Sequence, residues 1–180
     1  MYSLRSNLAG EIAQGLPAAS VIAAQDIALA ERAQKLMESP KFLLSTNDDV
    51  IGIELGGALK NIIALGAGMI DGLGLGDNAK GAFIAWGWVE VVSLGVTLGA
   101  RAGTFYGLVG LGDLIATCSS TLSRNHYVGY ELAKGRSLPE ISASMPHVAE
   151  GVATTAAVHQ LVENQGLKLP IINLIYGILF

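Results

Sequence analysis

From residue 49 onward the sequence repeats one pattern: long apolar segments at helical spacing, broken by single charges and glycines and apolar on more than one face. Such a helix cannot lie on a surface and has to be enclosed by others. Residues 49–69 hold Ile51, Leu55, Leu59, Ile62, Ile63 and Leu65, and residues 78–98 form a second long apolar segment between GLGLGD and LGARAG. A shorter helix is predicted over 105–118, and another over 123–134, from Ser123 to a stop at Gly135. Ser137, Pro139 and Glu140 supply an N-cap, a first turn and an N3 residue for the next. Residues 152–164 end at Gly166, and Pro170 opens the last helix.

The first 47 residues differ. Residues 17–25, PAASVIAAQ, end in a β-branched apolar run that suits a buried strand. Asp26 can cap the helix IALAERAQKLMES, Pro40 lies just past its stop, and KFLLST at 41–46 is a second strand. The sequence therefore predicts a mainly α chain, with a β-α-β unit over residues 1–47 and an all-helical unit over 48–180.

Composition removes several function classes. With 51% hydrophobic and 14% charged residues the chain is not disordered. Eleven Lys and Arg against fifteen Asp and Glu give a net charge of −4, and the basic residues are scattered, so no nucleic-acid partner is expected. One cysteine, Cys118, cannot make a disulfide framework or a cysteine-based zinc site, and His126, His147 and His159 lack metal-ligand spacing. A cytoplasmic protein without a metal is expected. The mean hydropathy of +0.49 raises the question of a membrane span, which needs roughly 20 mostly apolar residues. Glu54, Lys60, Asp71, Asp77, Lys80, Glu90, Arg101 and Asp113 punctuate the apolar stretches, so buried helices and no transmembrane segment are expected. The N-terminal MYSLRSNLAGEIAQG, with Glu11 and no long apolar core, does not read as a secretory signal. A chain this poor in charge is expected to be a homo-oligomer or to have a partner.

Three clusters carry chemistry. In GGALKN, Lys60 lies among Leu55, Leu59, Ile62 and Ile63, with Asn61 beside it. A lysine so placed must reach water, pair, or give up its proton more easily, and in the last case it can act as a general base. The same pattern also describes a helix lysine that reaches the surface. In GLGDLIAT, Asp113 and Thr117 are four apart and share a helix face, where they can hold a polyol or orient an ammonium; Asp113 can equally be a helix N-cap. Ser123, Arg124 and Asn125 gather a hydroxyl, a guanidinium and an amide at a helix start, a good phosphate site and also an ordinary capped helix with a surface arginine. The glycines of GAG at 66–68 and GLGLG at 72–76 do not fit G-x-G-x-x-G after a strand and are read as tight helix contacts and helix ends.

The order and spacing of GIELGGALKNIIALGAGMIDGLGLGDNAK, GLVGLGDLIATCSSTLSRN and VAEGV resemble the NAD(P)-dependent glycerol-3-phosphate dehydrogenases of bacterial type, from about Asn7 to the C-terminus. The resemblance implies a multi-helix substrate domain of the 6-phosphogluconate dehydrogenase C-terminal-like type, after a short remnant of a Rossmann domain. Full-length members are much longer, and the end after Ile175-Tyr176-Gly177 also looks clipped. The implied reaction interconverts sn-glycerol 3-phosphate and dihydroxyacetone phosphate with NAD or NADP, a step in carbohydrate metabolism and phospholipid biosynthesis. Lys60 matches the family's proton acceptor, and Asn61, Asp113 and Thr117 match polar groups around substrate and lysine. Ser123, Arg124 and Asn125 match the substrate-phosphate site, with Arg124 also near the cofactor, and Val148 and Glu150 match cofactor contacts.

Some positions depart from the family. Leu4-Arg5-Ser6 stands where Ser-Gly-Pro is usual, Ala85-Trp86-Gly87 for Thr-Arg-Gly, His147 for a glutamine, and His126 for a basic residue. Residues 1–47 cannot supply a cofactor domain, so the 180-residue chain alone is expected to oxidise little or no NADH. Two further readings stay open: a noncatalytic helical module that binds a triose phosphate or pairs with an intact dehydrogenase, and a remnant without function.

Overall fold

A computed structural model describes residues 2–5, 9–145 and 147–180, the backbone alone at 2–5, 9, 11, 164 and 165. Three strands, β1 (Tyr2–Arg5), β2 (Ala18–Ala23) and β3 (Phe42–Asn47), pair in the order β1-β2-β3. β2 and β3 are parallel, with Ala18 opposite Phe42 and Ala23 opposite Asn47, and α2 (Ile27–Met37) joins them as the sequence predicts. The Asp26 carboxylate caps α2 by accepting the Ala28 N–H at 3.0 Å. Alternate residues of β2 face opposite sides. Ile22 packs with Leu44 on Ala30 and Ala33 of α2, whereas Val21 and Ala23 pack on Ile53 and Val109. α2 also closes the outer edge of β3: Gln34 Nε2 donates to the Leu44 carbonyl at 2.5 Å, and Glu38 accepts the Leu44 N–H at 3.4 Å.

β1 runs antiparallel to β2, and a five-residue helix, α1 (Ala9–Ala13), follows it. Neither is legible in the sequence, because four or five residues are too few to show a period. Ser6, the last residue of the Leu4-Arg5-Ser6 stretch that departs from the family's Ser-Gly-Pro, lies outside the described residues.

The rest is helical: α3 (Val50–Leu73), α4 (Asp77–Thr97), α5 (Asp113–Ser119), α6 (Arg124–Ala133), α7 (Leu138–Ser144), α8 (Glu150–Gln165) and α9 (Pro170–Leu179). The single helix expected over 105–118 is a correction. In its place stand a 3-10 segment (Ala102–Tyr106), a π-helical turn (Leu108–Gly112) and then α5. Gly107 is extended, at φ −87° and ψ −166°, and breaks the run. Gly110 folds back so tightly that a Cβ there would stand 2.0 Å from the Phe105 carbonyl oxygen. α7 opens with the expected capping box, the Ser137 N–H donating to Glu140 at 2.9 Å. Both long helices, α3 and α4, have the length and composition of a membrane span. Most of α3 is instead buried in the structure.

By packing, the chain divides into two compact units, Met1–Gly57 with Val92–Asp113, and Ala58–Val91 with Leu114–Phe180. In the first, buried Asp49 accepts the N–H groups of Gly52 at 3.0 Å and Arg101 at 2.9 Å and the Thr104 hydroxyl at 2.6 Å. Burial pushes its carboxyl up, but the Thr104 hydroxyl, the two amides and the nearby Arg101 charge outweigh that and hold it below the usual value.

In the second unit α3 and α6 cross backbone against backbone. A Cβ on Gly68 would stand 2.0 Å from the His126 carbonyl oxygen, and one on Gly129 1.9 Å from that of Leu65. The GAG glycines are thus helix contacts, Gly66 meeting the Phe83 ring, and GLGLG ends α3, with Gly74 and Gly76 at φ +69° and +85°. Glu90 of α4 reaches the start of α9, where its carboxylate accepts the N–H groups of Ile171 at 2.8 Å and Ile172 at 3.0 Å.

Candidate functional site

The second unit brings Lys60, Asn61, Thr117, Ser123, Arg124 and Asn125 onto neighbouring turns of α3, α5 and α6. Lys60 is half-buried at mid-helix, because its turn of α3 is lined by Leu59, Ile62 and Ile63, all buried. Its Nζ donates to Thr117 Oγ1 on α5 at 3.1 Å. Asn61, the next residue, points a buried carboxamide toward α6.

At the start of α6, Ser123 is the N-cap and its buried hydroxyl accepts the His126 N–H at 3.3 Å. Arg124 is exposed. Asn125 is buried and bonded at both ends. Its Nδ2 donates to Asn61 Oδ1 at 2.9 Å, and its Oδ1 accepts the Gly151 N–H at 2.8 Å. Two carboxamides and one backbone amide thus tie α3, α6 and α8 together.

Asp113 begins α5, one turn before Thr117. Its backbone is helical, at φ −69° and ψ −35°, because the π-helical turn runs straight into it, so it does not act as an N-cap. It is buried within the first unit, whereas Lys60 and Thr117 belong to the second. π-helical turns are rare and often stand at functional sites.

His126, where the family usually has a basic residue, is buried and meets Asp71 Oδ2 through Nε2 at 2.7 Å. The same oxygen accepts from Lys80 Nζ at 2.5 Å. Burial pushes the Asp71 carboxyl up, but the Lys80 and His126 hydrogen bonds and charges outweigh it and hold it below the usual value.

Val148 and Glu150 stand exposed at the start of α8. Val148, His147, Met145, Val128, Val152 and Phe180 help to line an apolar cavity of about 440 Å³. Cys118 is buried in α5. Among the described residues no group of three or more His, Cys, Asp or Glu is placed to hold a metal ion.

Chemically, the arrangement offers one amine that can exchange a proton, a hydroxyl that orients it, and two carboxamides whose directions are fixed. Reading the sequence misses Gly151, whose contacts with Asn125 and Asn61 join residues far apart in the chain, and Asp71, whose partners Lys80 and His126 lie nine and fifty-five residues away. The one local hint of Gly151 is a glycine in the first turn of a helix, in VAEGV.

Comparison with known proteins gives one answer throughout. The family model for the NAD-dependent glycerol-3-phosphate dehydrogenase C-terminus matches residues 49–180. The NAD(P)+ glycerol-3-phosphate dehydrogenase of Dehalococcoides mccartyi strain 195 is 56% identical over 174 residues, 97% of this chain and 48% of the relative. That of Paucimonas lemoignei is 49% identical, over 97% of this chain and 52% of its own length. The crystal structure of glycerol-3-phosphate dehydrogenase from Coxiella burnetii aligns with a TM-score of 0.93 at 34% identity, covering 98% of this chain and 55% of that one. The yeast GPD1 structure aligns at 0.88 and 30% identity, again over 98% and 55%. The chain thus spans about half the length of the curated relatives it matches.

Proposed function

Since the chain belongs to the family of the NAD-dependent glycerol-3-phosphate dehydrogenase C-terminus, we propose that it carries the substrate-binding and proton-transferring part of an enzyme that interconverts sn-glycerol 3-phosphate and dihydroxyacetone phosphate. In this reading residues 48–180 are the substrate domain and residues 1–47 the end of the nucleotide-binding domain. The observation that carries it is the Lys60 amine, half-buried and held at 3.1 Å by Thr117, one residue from the fixed Asn61–Asn125 pair.

Oxidation of the C2 alcohol needs a group that takes the hydroxyl proton. Lys60 does so in its neutral form and returns the proton in the reverse direction. Thr117 accepts from Nζ and so sets the direction of the amine. Asp113 is assigned to the polar groups around substrate and lysine on the family resemblance. For the substrate phosphate, Arg124 offers an exposed guanidinium, which suits phosphate as a two-pronged donor. Ser123 fixes the α6 terminus beside it. Asn125 Nδ2 has one acceptor among the described residues, which leaves its second hydrogen for a ligand.

NAD or NADP, when bound, supplies the hydride acceptor or donor at C2. The chain's residues fit part of such a group: Arg124, Val148 and Glu150 are exposed on the same unit, a guanidinium for phosphate and an apolar side chain beside an apolar cavity. A cytoplasmic location goes with this reading, supported by the single, buried Cys118.

The test is a chimera in which these 180 residues replace the matching half of the Dehalococcoides relative, assayed for NAD(P)H oxidation with dihydroxyacetone phosphate. Turnover is expected, and Lys60→Met should lower kcat by about 10²–10⁴. A Lys60→Met chimera as fast as its parent would overturn the assignment of the base.

A second reading, pairing with another dehydrogenase chain, has one observation in its favour. Trp86 and Val89 lie a turn apart on α4 and are 67% and 66% exposed, with Trp86 at a position that is arginine in the family pattern. Sedimentation of the chain alone and mixed with a full-length relative tests it; a monomer in both samples refutes it.

A further inference from the structure

Gly151 is the second residue of α8, so its N–H has no acceptor within the helix. It donates to Asn125 Oδ1 at 2.8 Å, in a buried place. A carboxamide can turn over and exchange its oxygen and nitrogen, but a backbone N–H can only donate. The Gly151 amide therefore fixes which end of Asn125 is oxygen. Nδ2 must then face away from α8, where one of its hydrogens meets Asn61 Oδ1 at 2.9 Å. The polarity passes from Gly151 to Asn125 to Asn61, the neighbour of Lys60.

The position also has to be glycine. A Cβ there would stand 2.7 Å from Asn125 Oδ1 and 2.7 Å from the Asn61 carbonyl oxygen, and 3.1 Å from the Asn61 carbonyl carbon. Asn61 lies in the middle of α3 and its backbone cannot yield, so any side chain lifts the start of α8 away. Lifting α8 breaks the hydrogen bond that orients Asn125 and moves Val148 and Glu150 with it.

We propose that Gly151 is a positioning residue for substrate binding: its backbone amide, brought against α3 because it has no side chain, holds the Asn125 carboxamide with Nδ2 turned toward Asn61 and the substrate phosphate. The proposal rests on the substrate-phosphate role given to Asn125 above, and two readouts separate the two claims. The first is the Asn125 side-chain amide signal in ¹H–¹⁵N spectra of the purified chain. It should be shifted and slow to exchange in the native chain, and Gly151→Ala should move it to the position of a free amide. The second is affinity for sn-glycerol 3-phosphate, which Gly151→Ala lowers at least tenfold while far-UV circular dichroism stays unchanged.

Failure of the native chain to bind sn-glycerol 3-phosphate, with the amide signals as described, would overturn the functional reading and leave the positioning standing. A Gly151→Ala chain that keeps both the native Asn125 signal and native affinity would overturn the positioning. If Gly151→Ala does not fold, amide exchange in Asn125→Ala decides. The Gly151 N–H should then exchange at least tenfold faster than in the native chain, while Val158 and Val162 keep their protection. An unchanged rate at Gly151 would overturn the proposal.

Discussion

Replacing Glu90 should loosen a helix that begins eighty residues further along the chain. α9 starts at Pro170, and Leu169, at its N-cap position, has no polar side-chain atom. The orphan N–H groups of Ile171 and Ile172 are taken instead by the two carboxylate oxygens of Glu90, at 2.8 and 3.0 Å, in a place where Glu90 is 9% exposed and Ile172 fully buried. A hydrogen bond to a charged group contributes about 1.5–3 kcal/mol, and the helix terminus favours the negative charge as well. Glu90→Ala strands two amides and should cost about 4 kcal/mol. Glu90→Gln keeps one acceptor but turns an NH₂ against the other N–H, and should cost about 2 kcal/mol. At about 2–4 °C per kcal/mol for a chain of this size, the alanine variant should melt roughly 8–16 °C lower. Urea unfolding gives the free energies, and amide exchange at Ile171 and Ile172 locates the change. A Glu90→Ala chain within about 0.5 kcal/mol of the native one, the range of an indifferent surface change, with Ile172 exchanging at its native rate, would refute the reasoning.

Three further outcomes follow from the same geometry. Asp49 and Asp71 titrate below the unfolded value of about 3.9, so the stability they contribute is complete above that value and is lost as pH falls through their folded-state values. The urea midpoint should therefore fall from pH 5 to pH 3, less steeply in Asp71→Asn, and a midpoint that rises over that range contradicts the sign. Gly68→Ala would put a methyl 2.0 Å from the His126 carbonyl oxygen and should cost about 3 kcal/mol, whereas Gly177→Ala, with nothing within 4 Å on the exposed side of α9, should gain about 0.5–1 kcal/mol in parallel melts. Thr117→Val removes the acceptor that aims the Lys60 amine and should lower kcat in the chimera about tenfold, about 1.4 kcal/mol, with KM little changed; a change in KM alone would make Thr117 a binding residue.

Much of the fold is legible in the residues, for identifiable reasons. Strand β2, capped helix α2 and strand β3 carry their signals locally, in a β-branched run, in Asp26 and in Pro40. So do the capping box at Ser137 and the left-handed Gly166 that closes α8 at φ +65°. What escapes is non-local or conformationally unusual. The π-helical turn before Asp113 has an ordinary apolar sequence, and what bends it is the fold of Gly110 onto Phe105.

At the candidate site, Lys60, Thr117 and Asn125 are visible as residue types, but only the packing of α3, α5, α6 and α8 shows which atoms meet. His126 looks like the loss of a basic residue. In the fold it is a buried ring on Asp71, beside the glycine crossing of α3 and α6. The apolar segment 78–98 reads as an enclosed helix, but α4 leaves Trp86 and Val89 exposed.

The assignment of this unit to the substrate is tested most directly by calorimetric titration of the purified 180-residue chain with sn-glycerol 3-phosphate, with Lys60→Met and Asn125→Ala in parallel and glycerol as the control without phosphate. Saturable binding to the native chain is expected, weakened at least tenfold, about 1.4 kcal/mol, by either substitution and absent for glycerol. No saturable binding by a folded native chain, or equal binding by all three proteins, would contradict it.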